Sequence, residues 1–268
     1  QSTSNITTDI VGYSDARVES VDLSEIVNMT DFVKIADENK PGKVKISTAA
    51  ELELFDNLVY SFEGKTVYLA NDIDAAGYSL QPVGTSSAPF KGTFDGQGHE
   101  VRNIAIEETE NNGAGFFGYV LGATIKNLIL QGQVSSTKSQ VGGFVGNIGK
   151  GEKTTIDNCY GKLDVTGVQY VGGIVGMITS DGKNYLVTHE IKNCTVAGNK
   201  TGISGSHNVG GIVGGALNTV TIKNCRNAAS VSASAGSGTA GCGGIVGVSK
   251  NWTTTVEGCI NNGQITGD

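Results

Sequence analysis

Gly143-Phe-Val-Gly146 followed by Ile156-Asp-Asn-Cys159 decides how this chain folds, because the pair of phrases keeps returning. It stands upstream as Gly115-Phe-Phe-Gly118 with Ile125-Lys-Asn-Leu128. Downstream it is Gly173-Ile-Val-Gly176 with Ile191-Lys-Asn-Cys194, Gly211-Ile-Val-Gly214 with Ile222-Lys-Asn-Cys225, and Gly244-Ile-Val-Gly247 with Val256-Glu-Gly-Cys259. A phrase that recurs at a period of roughly 30 residues marks a repeat architecture, in which one unit cannot bury its apolar side alone and stacks on the next.

The spacing inside the second phrase predicts the shape of a coil. Ile125 and Leu128 are three residues apart, and a straight strand would send them to opposite faces because its side chains alternate. Both point inward only if the chain bends between them. Asparagine tolerates the left-handed conformation such a corner needs, and this position reads Asn103, Asn127, Asn158, Asn193, Asn224 and then Gly258. Stacked coils would align these residues into an amide column, with hydrogen bonds from rung to rung. The residue after the bend forms a second column of Ile104, Leu128, Cys159, Cys194, Cys225 and Cys259, where cysteine alternates with aliphatics as a small buried hydrophobe. Cys242 likewise takes the place of Val141, Val171 and Val209. No C-x-x-C zinc spacing occurs. Rungs ~4.8 Å apart would allow a bridge between coils, but five cysteines fit buried thiols better than a disulfide framework. The outward residue of the phrase gives a mixed-charge stripe of Arg102, Lys126, Asp157, Lys192, Lys223 and Glu257, as on a solvated face.

Composition agrees with a β-solenoid. Glycine is 40 of 268 residues, prolines and aromatics are few, and Val and Ile dominate the apolar set. A net charge of -7 without a basic cluster speaks against a nucleic-acid surface. No apolar run approaches the ~20 residues of a membrane span. The chain starts at Gln1 without a signal peptide, which reads as a processed mature form or a piece cut from a longer one. The last coil carries no recognisable cap, as in a truncated fragment or a coil that docks a partner.

Upstream of the repeats the pattern changes. Thr48-Ala-Ala-Glu51 is a capping box, and Leu52, Phe55, Leu58 and Val59 follow at helical spacing, predicting an amphipathic helix over 49–59 that caps the solenoid. A strand is expected over Thr66 to Leu69, and the first full coil from Phe90 through Phe94-Asp-Gly-Gln-Gly-His99 to Val101-Arg-Asn-Ile104. Residues 1–45, with a weak helical stretch over 22–37 and a Pro41-Gly42 break, read as a linker or small separate element. Residues 46–112 form the cap and first coil, and 113–268 the five repeats.

The Gly-aliphatic-Val-Gly phrase resembles the GLUG repeat of bacterial surface proteins, found beside immunoglobulin-A1-specific metallopeptidases and in large adhesins. Ile46-Ser-Thr-Ala-Ala-Glu-Leu52, Gly64-Lys-Thr-Val-Tyr-Leu-Ala-Asn-Asp-Ile-Asp74, Pro82-Val-Gly84 and Phe90-Lys-Gly-Thr-Phe-Asp-Gly-Gln-Gly-His99 resemble the segment that precedes those repeats, so the likeness covers 46–268. It implies an all-β, right-handed parallel β-helix, exported to the bacterial cell surface. It implies no catalytic centre, because the metallopeptidase needs an H-E-x-x-H zinc motif and this chain has only the isolated His99, His189 and His207.

An enzyme of acidic polysaccharides on a β-helix scaffold is the rival reading. It needs carboxylates convergent on adjacent coils. Asp157 and Glu257 share a column but stand two lysine rungs apart, and Asp164, Asp181 and Glu190 are expected in dissimilar loop positions. Asp72 and Asp74, with Asp95 and His99 near in space, are the one compact candidate for catalysis or calcium. Strand alternation and an Asp95-Gly96 turn explain the same residues.

The sequence thus assigns no catalytic, cofactor-binding or metal-ligating residue and no cofactor. It points to a monomeric, non-catalytic surface module for adhesion or stalk duty, whose partners are a glycan or host surface protein. Binding is expected at the coil edges: the insert from Met177 to Glu190, bearing Tyr185 and His189, and the Ser/Gly/Ala/Thr-rich stretches 197–208 and 229–241. Trp252, in the last turn, would either stack on a sugar ring or pack as a rim aromatic.

Overall fold

The isoleucine of each Ile-x-Asn phrase shares one rung position with Phe94 upstream and Val256 downstream: Phe94, Ile125, Ile156, Ile191, Ile222 and Val256 are in register from coil to coil. In this computed structural model, which describes residues 42–180, 187–234, 241–250 and 252–267, the chain is a parallel β-solenoid of about 6 turns with one short helix near the N-terminal end. The repeat generates four stacked sheets. An eight-stranded sheet runs from Lys43–Ile46 to Thr254–Glu257 and a five-stranded one from Phe117–Val120 to Val246–Ser249. A ten-stranded sheet includes Ile129–Ser136 and Tyr160–Thr166, and a four-stranded one runs from Val141–Gly142 to Cys242–Gly243. Lys43–Ile46 pairs with Thr66–Leu69, so this sheet begins just upstream of the expected boundary at 45/46. Most of 1–45 lies outside the described residues.

Both glycines of the repeated phrase serve close backbone packing. A Cβ on Gly173 would sit 2.3 Å from the Gly211 carbonyl oxygen of the next coil, and one on Gly176 would sit 2.5 Å from the Val141 nitrogen. The chain turns from one sheet to the next at this point, and only hydrogen fits between the turns. The residues between the glycines point inward: Phe116, Phe144, Ile174 and Ile212, then Phe117, Val145, Val175 and Val213, are all buried. On the last described coil the inward columns are uncovered, with Val256, Ile260 and Ile265 48, 56 and 44% exposed.

At the other end the helix Ala49–Asp56 closes the core. Thr48 and Glu51 form the capping box, and Leu52 and Phe55 are buried. The Phe55 ring packs at 5.1 Å on Phe62 and 5.8 Å on Phe94. The helix stops at Asn57, short of the expected 59. Leu58 is still buried but Val59 is 47% exposed, so the apolar periodicity outruns the helix.

The corner is left-handed as the spacing requires: φ is +53° at Asn127 and Asn158, +55° at Asn193, +52° at Asn224 and +61° at Gly258. The amide column is mixed rather than purely asparagine. Asn158 Nδ2 donates to Asn127 Oδ1 at 2.9 Å, but Asn127 donates to Asp95 at 3.0 Å and Asn193 to Asp157 at 2.8 Å. Asn158→Leu would place a branched side chain at positive φ, costing about 1 kcal/mol, and delete a bond worth about 1 kcal/mol. A loss of about 2 kcal/mol is expected, seen as a lower melting temperature. Unchanged melting in both Asn158→Leu and Asn193→Leu would remove the column from the stability argument.

Arg102, Asn103 and Ile104 leave the columns to which their pattern assigned them. Asp95, not Arg102, is in register with Lys126, and the first corner is made by Gly96-Gln97-Gly98, with φ +53° at Gln97 and +81° at Gly98. Val101 pairs with Leu130 and Ile104 with Gly132 in the ten-stranded sheet, across a bulge at which Asn103 has φ +59°. The bulge copies the corner's dihedral, which is why the two look alike in sequence.

The sulfur column is present. Cys159, Cys194 and Cys225 are buried, Cys242 and Cys259 are partly covered, and all five are free thiols. Each corner thiol donates to the carbonyl two residues back, as from Cys194 Sγ to Lys192 O at 3.1 Å. Cys242 pairs in register with Val209, as the substitution pattern requires.

Candidate functional site

The acids weighed for catalysis are already engaged. Asp72 Oδ1 lies 3.0 Å from His99 Nδ1 and accepts from the Glu100 N–H at 3.0 Å. Asp74 accepts from Asn103 Nδ2 at 2.7 Å, Arg102 Nε at 3.1 Å and the Ala76 N–H at 3.1 Å. The Glu100 N–H and His99 hold the Asp72 carboxyl below its ordinary range, and Asn103 and the Ala76 N–H do the same for Asp74. For Asp95, burial pushes the carboxyl up, yet Asn127, the Gln97 N–H and Lys126 outweigh it and leave it low. Three different sets of partners thus favour the ionised form of all three carboxylates. Among the described residues no group of three or more His, Cys, Asp or Glu is placed to hold a metal.

The outward stripe is an ion-pair ladder in which Lys126 reaches Asp95 at 3.5 Å, Lys192 reaches Asp157 at 3.8 Å and Lys223 reaches Glu257 at 3.3 Å. Four of the thiols are raised: Cys194 by its hydrogen bond with Cys159, Cys225 by its bond with Cys194 and by burial, and Cys242 and Cys259 by burial. These four stay protonated at neutral pH, the less nucleophilic form.

Several expected loop residues are structural. Asp164 is in the strand Tyr160–Thr166 and Glu190 in His189–Lys192, while Asp181 lies outside the described residues. Asp164 crosses to the next coil and accepts from four successive N–H groups, at 3.2 Å from Asn199, 2.9 Å from Lys200, and 2.8 Å from both Thr201 and Gly202. Burial raises its carboxyl, but these donors win and hold it low. His189 does not project with its insert, because its side chain is fully buried. Tyr185 lies outside the described residues. Parts of 197–208 and 229–241 are also rung rather than edge loop, since Ile203–Gly205, His207–Gly210 and Val231–Ala233 are paired strands with Ile203, Val209 and Val231 buried; residues 235–240 lie outside the described residues. Trp252 packs as a rim aromatic, with its indole N–H donating to Ser180 Oγ at 2.7 Å. Asp56, whose carboxyl is raised by burial to about 8, anchors the Gln81 N–H at 2.9 Å under the helix.

The concave site lies elsewhere. Val83 and Phe90 each pair with the next coil, at Phe117 and Val120, so residues 85–89 leave the rung between two pinned points. A turn holds this loop, with the Thr85 N–H on Ala88 O at 3.0 Å and the Ala88 N–H on Thr85 Oγ1 at 3.1 Å. Facing it is a second loop, in which Glu108 Oε1 accepts from the N–H groups of Glu110 and Asn111 at 2.7 and 2.9 Å, and Asn112 Oδ1 accepts from the Ser139 N–H at 3.1 Å. Between the loops lies a cavity of about 430 Å³ floored by Tyr119 and lined with Thr85, Ser86, Ser87, Glu108 and Asn111. A second cavity of about 300 Å³ shares Ser86 and Tyr119 and continues past Pro89, Leu121 and Lys150.

Tyr119 is held in place by a corner that the repeated phrase does not announce. Gly113, Gln140, Tyr170 and Asn208 have φ of +90°, +67°, +57° and +55°, and they precede the register-matched Ala114, Val141, Val171 and Val209. A Cβ on Gly113 would meet the Tyr119 ring at 2.3 Å. The Tyr119 hydroxyl donates to Gln140 Oε1 at 3.2 Å, which also accepts from Asn147 Nδ2 at 2.8 Å, and Thr179 Oγ1 donates to Asn147 Oδ1 at 2.8 Å. Burial raises the phenol, so at neutral pH it remains a donor.

No family model matches the chain. Over 86% of its length it superposes, with a TM-score of 0.68 and 25% identity, on 68% of a crystal structure from Bacteroides ovatus provisionally named an immunoglobulin A1 protease. It is 30% identical over 150 residues to Halomucin of Haloquadratum walsbyi, and 33% identical over 113 residues to a protein of Evansella cellulosilytica provisionally named a Gly-rich membrane protein. The matched parts are 52% and 38% of this chain, but only 2% and 13% of those relatives. Among the described residues no helix is long and apolar enough to cross a membrane.

Proposed function

We propose that this chain is an extracellular cell-surface module of the GLUG-repeat kind, a rod that projects a larger protein and binds a glycan or host surface without turning it over. The observation that carries the reading is the engagement of Asp72, Asp74 and Asp95 by Glu100, Asn103, Asn127 and their neighbours, which leaves these acids as coil-to-coil fasteners. The similarity to a Gly-rich membrane protein and to an immunoglobulin A1 protease of the same fold, with no H-E-x-x-H in this chain, supports placement outside the cell and beside a catalytic domain rather than within one. The module is monomeric, binds no nucleic acid and inserts into no membrane. Incubation with a panel of host and plant glycans tests this. Saturable retention with unchanged chain length is expected. Chain shortening that disappears in Asp72→Asn or Asp95→Asn would replace the module with a polysaccharide-active enzyme.

A further inference from the structure

We infer that the groove between the 85–89 and 108–112 loops is a binding site for an uncharged sugar unit of a glycan, with Tyr119 as its floor; this rests on the surface-module reading and assigns its ligand class. Its 430 Å³ falls within the range of about 300–1,000 Å³ typical of small-molecule sites. The lining is hydroxyl and amide, from Thr85, Ser86, Ser87 and Asn111, with one aromatic ring. That combination meets a pyranose, which offers hydroxyls around its edge and C–H groups on its faces.

The charge pattern narrows the class. Glu108 is the one ionisable carboxylate of the first cavity and no Lys or Arg lines it, so a uronate or other acidic sugar seated there would meet like charge without a cation beside it; Lys150 lines the adjoining cavity instead. A single carboxylate is also too few for a calcium cage, which takes six to eight oxygens. An extended peptide would need a sheet edge to pair with, and here the edges at Val83 and Phe90 are already paired.

The site is preorganised rather than assembled on binding. Glu108 and Asn112 each tie down the loop backbone with one oxygen, and Gln140 fixes the Tyr119 hydroxyl. The sugar therefore meets a shape that costs little ordering. The adjoining 300 Å³ past Pro89 and Leu121 extends the groove along the rod, which suits a chain of sugars more than a lone one.

Titration calorimetry with the full chain tests the assignment. The probes are the neutral hexaoses of cellulose, chitin, mannan and amylose, against hexagalacturonate and a hyaluronan hexamer. At least one neutral hexaose should bind and neither acidic one should bind more tightly. Asn111→Ala should weaken binding at least tenfold, and Ser86→Arg, on an exposed loop shared by both cavities, should abolish it with the melting temperature unchanged. Ser86→Arg binding like the wild type would overturn the groove and leave the module reading intact, with its ligand on another face. Tighter binding of the acidic hexamers would overturn the sugar class. No binding of any probe, together with no retention on the wider panel, would sink both.

Discussion

Asp164→Ala should lower stability by about 4 kcal/mol, and the melting temperature by roughly 10 °C. The carboxylate accepts from four successive N–H groups of the following coil, at 2.8–3.2 Å, and is buried at 8% exposure. Removing it leaves four backbone donors without their acceptor, that of Gly202 in a buried bond, at about 1 kcal/mol each. The geometry also explains the location. Tyr160–Thr166 is one continuous strand, but the coil above it is broken into Thr195–Ala197 and Ile203–Gly205. Asp164 bridges that break and keeps both pieces in register with the strand below. Because a solenoid is held by nearest-neighbour interfaces, loss of one interface should also split the melting into two steps. Asp164→Asn, which keeps one acceptor oxygen, should fall between wild type and alanine. Its carboxyl is held low, so this contribution is present at neutral pH and lost only as pH falls through that depressed value. A single transition in Asp164→Ala at the wild-type temperature would show the clasp to be idle.

What the sequence discloses and what it hides follow from periodicity. The corner at Asn127, Asn158, Asn193 and Asn224 is legible because one backbone conformation, φ near +53°, admits so few residue types that chemistry repeats with geometry. The second corner demands the same conformation, yet its residues, Gln140, Tyr170 and Asn208, do not repeat one type. Their side chains are chosen by different outward neighbours, such as Tyr119 for Gln140. The signal that was available is position, immediately before each Val-Gly-Gly. Val101-Arg-Asn-Ile104 misleads for the opposite reason, since a β-bulge needs the same dihedral as the corner. The groove was hidden more deeply. Its loops at 85–89 and 108–112 depart from the repeat, so no period relates them, and the close approaches of Gly84 and Gly113 to Tyr119 tie both sides to the floor. His189 reads as part of the long insert that precedes it, because chain length does not reveal where a strand resumes.

Burial makes His189 an acid-sensitive point in the rod. Its Nδ1 accepts from the Thr154 N–H at 3.2 Å, so the ring proton sits on Nε2, which has no partner among the described residues. Protonation would put a full charge in this apolar column, and burial accordingly lowers the imidazole from 6.5 to about 4. The unfolded chain takes up the proton first as pH falls. The stability from burying the neutral ring is complete above 6.5, declines between 6.5 and 4, and is lower by about 3 kcal/mol at pH 4. Asp56 acts in the opposite sense across the same range. Its carboxyl is raised to about 8 in the fold, so its contribution is lost as pH rises through 8 and regained as pH falls toward 3.8. Wild-type melting alone would therefore show a blurred sum of the two. The difference between wild type and His189→Gln, which keeps an acceptor for Thr154 but has no titrating group, isolates the imidazole. Glutamine should be no better than wild type at pH 7 and should gain on it steadily toward pH 4, by about 3 kcal/mol in urea unfolding. A constant difference across that range would mean that the ring reaches water and titrates as it does in the unfolded chain.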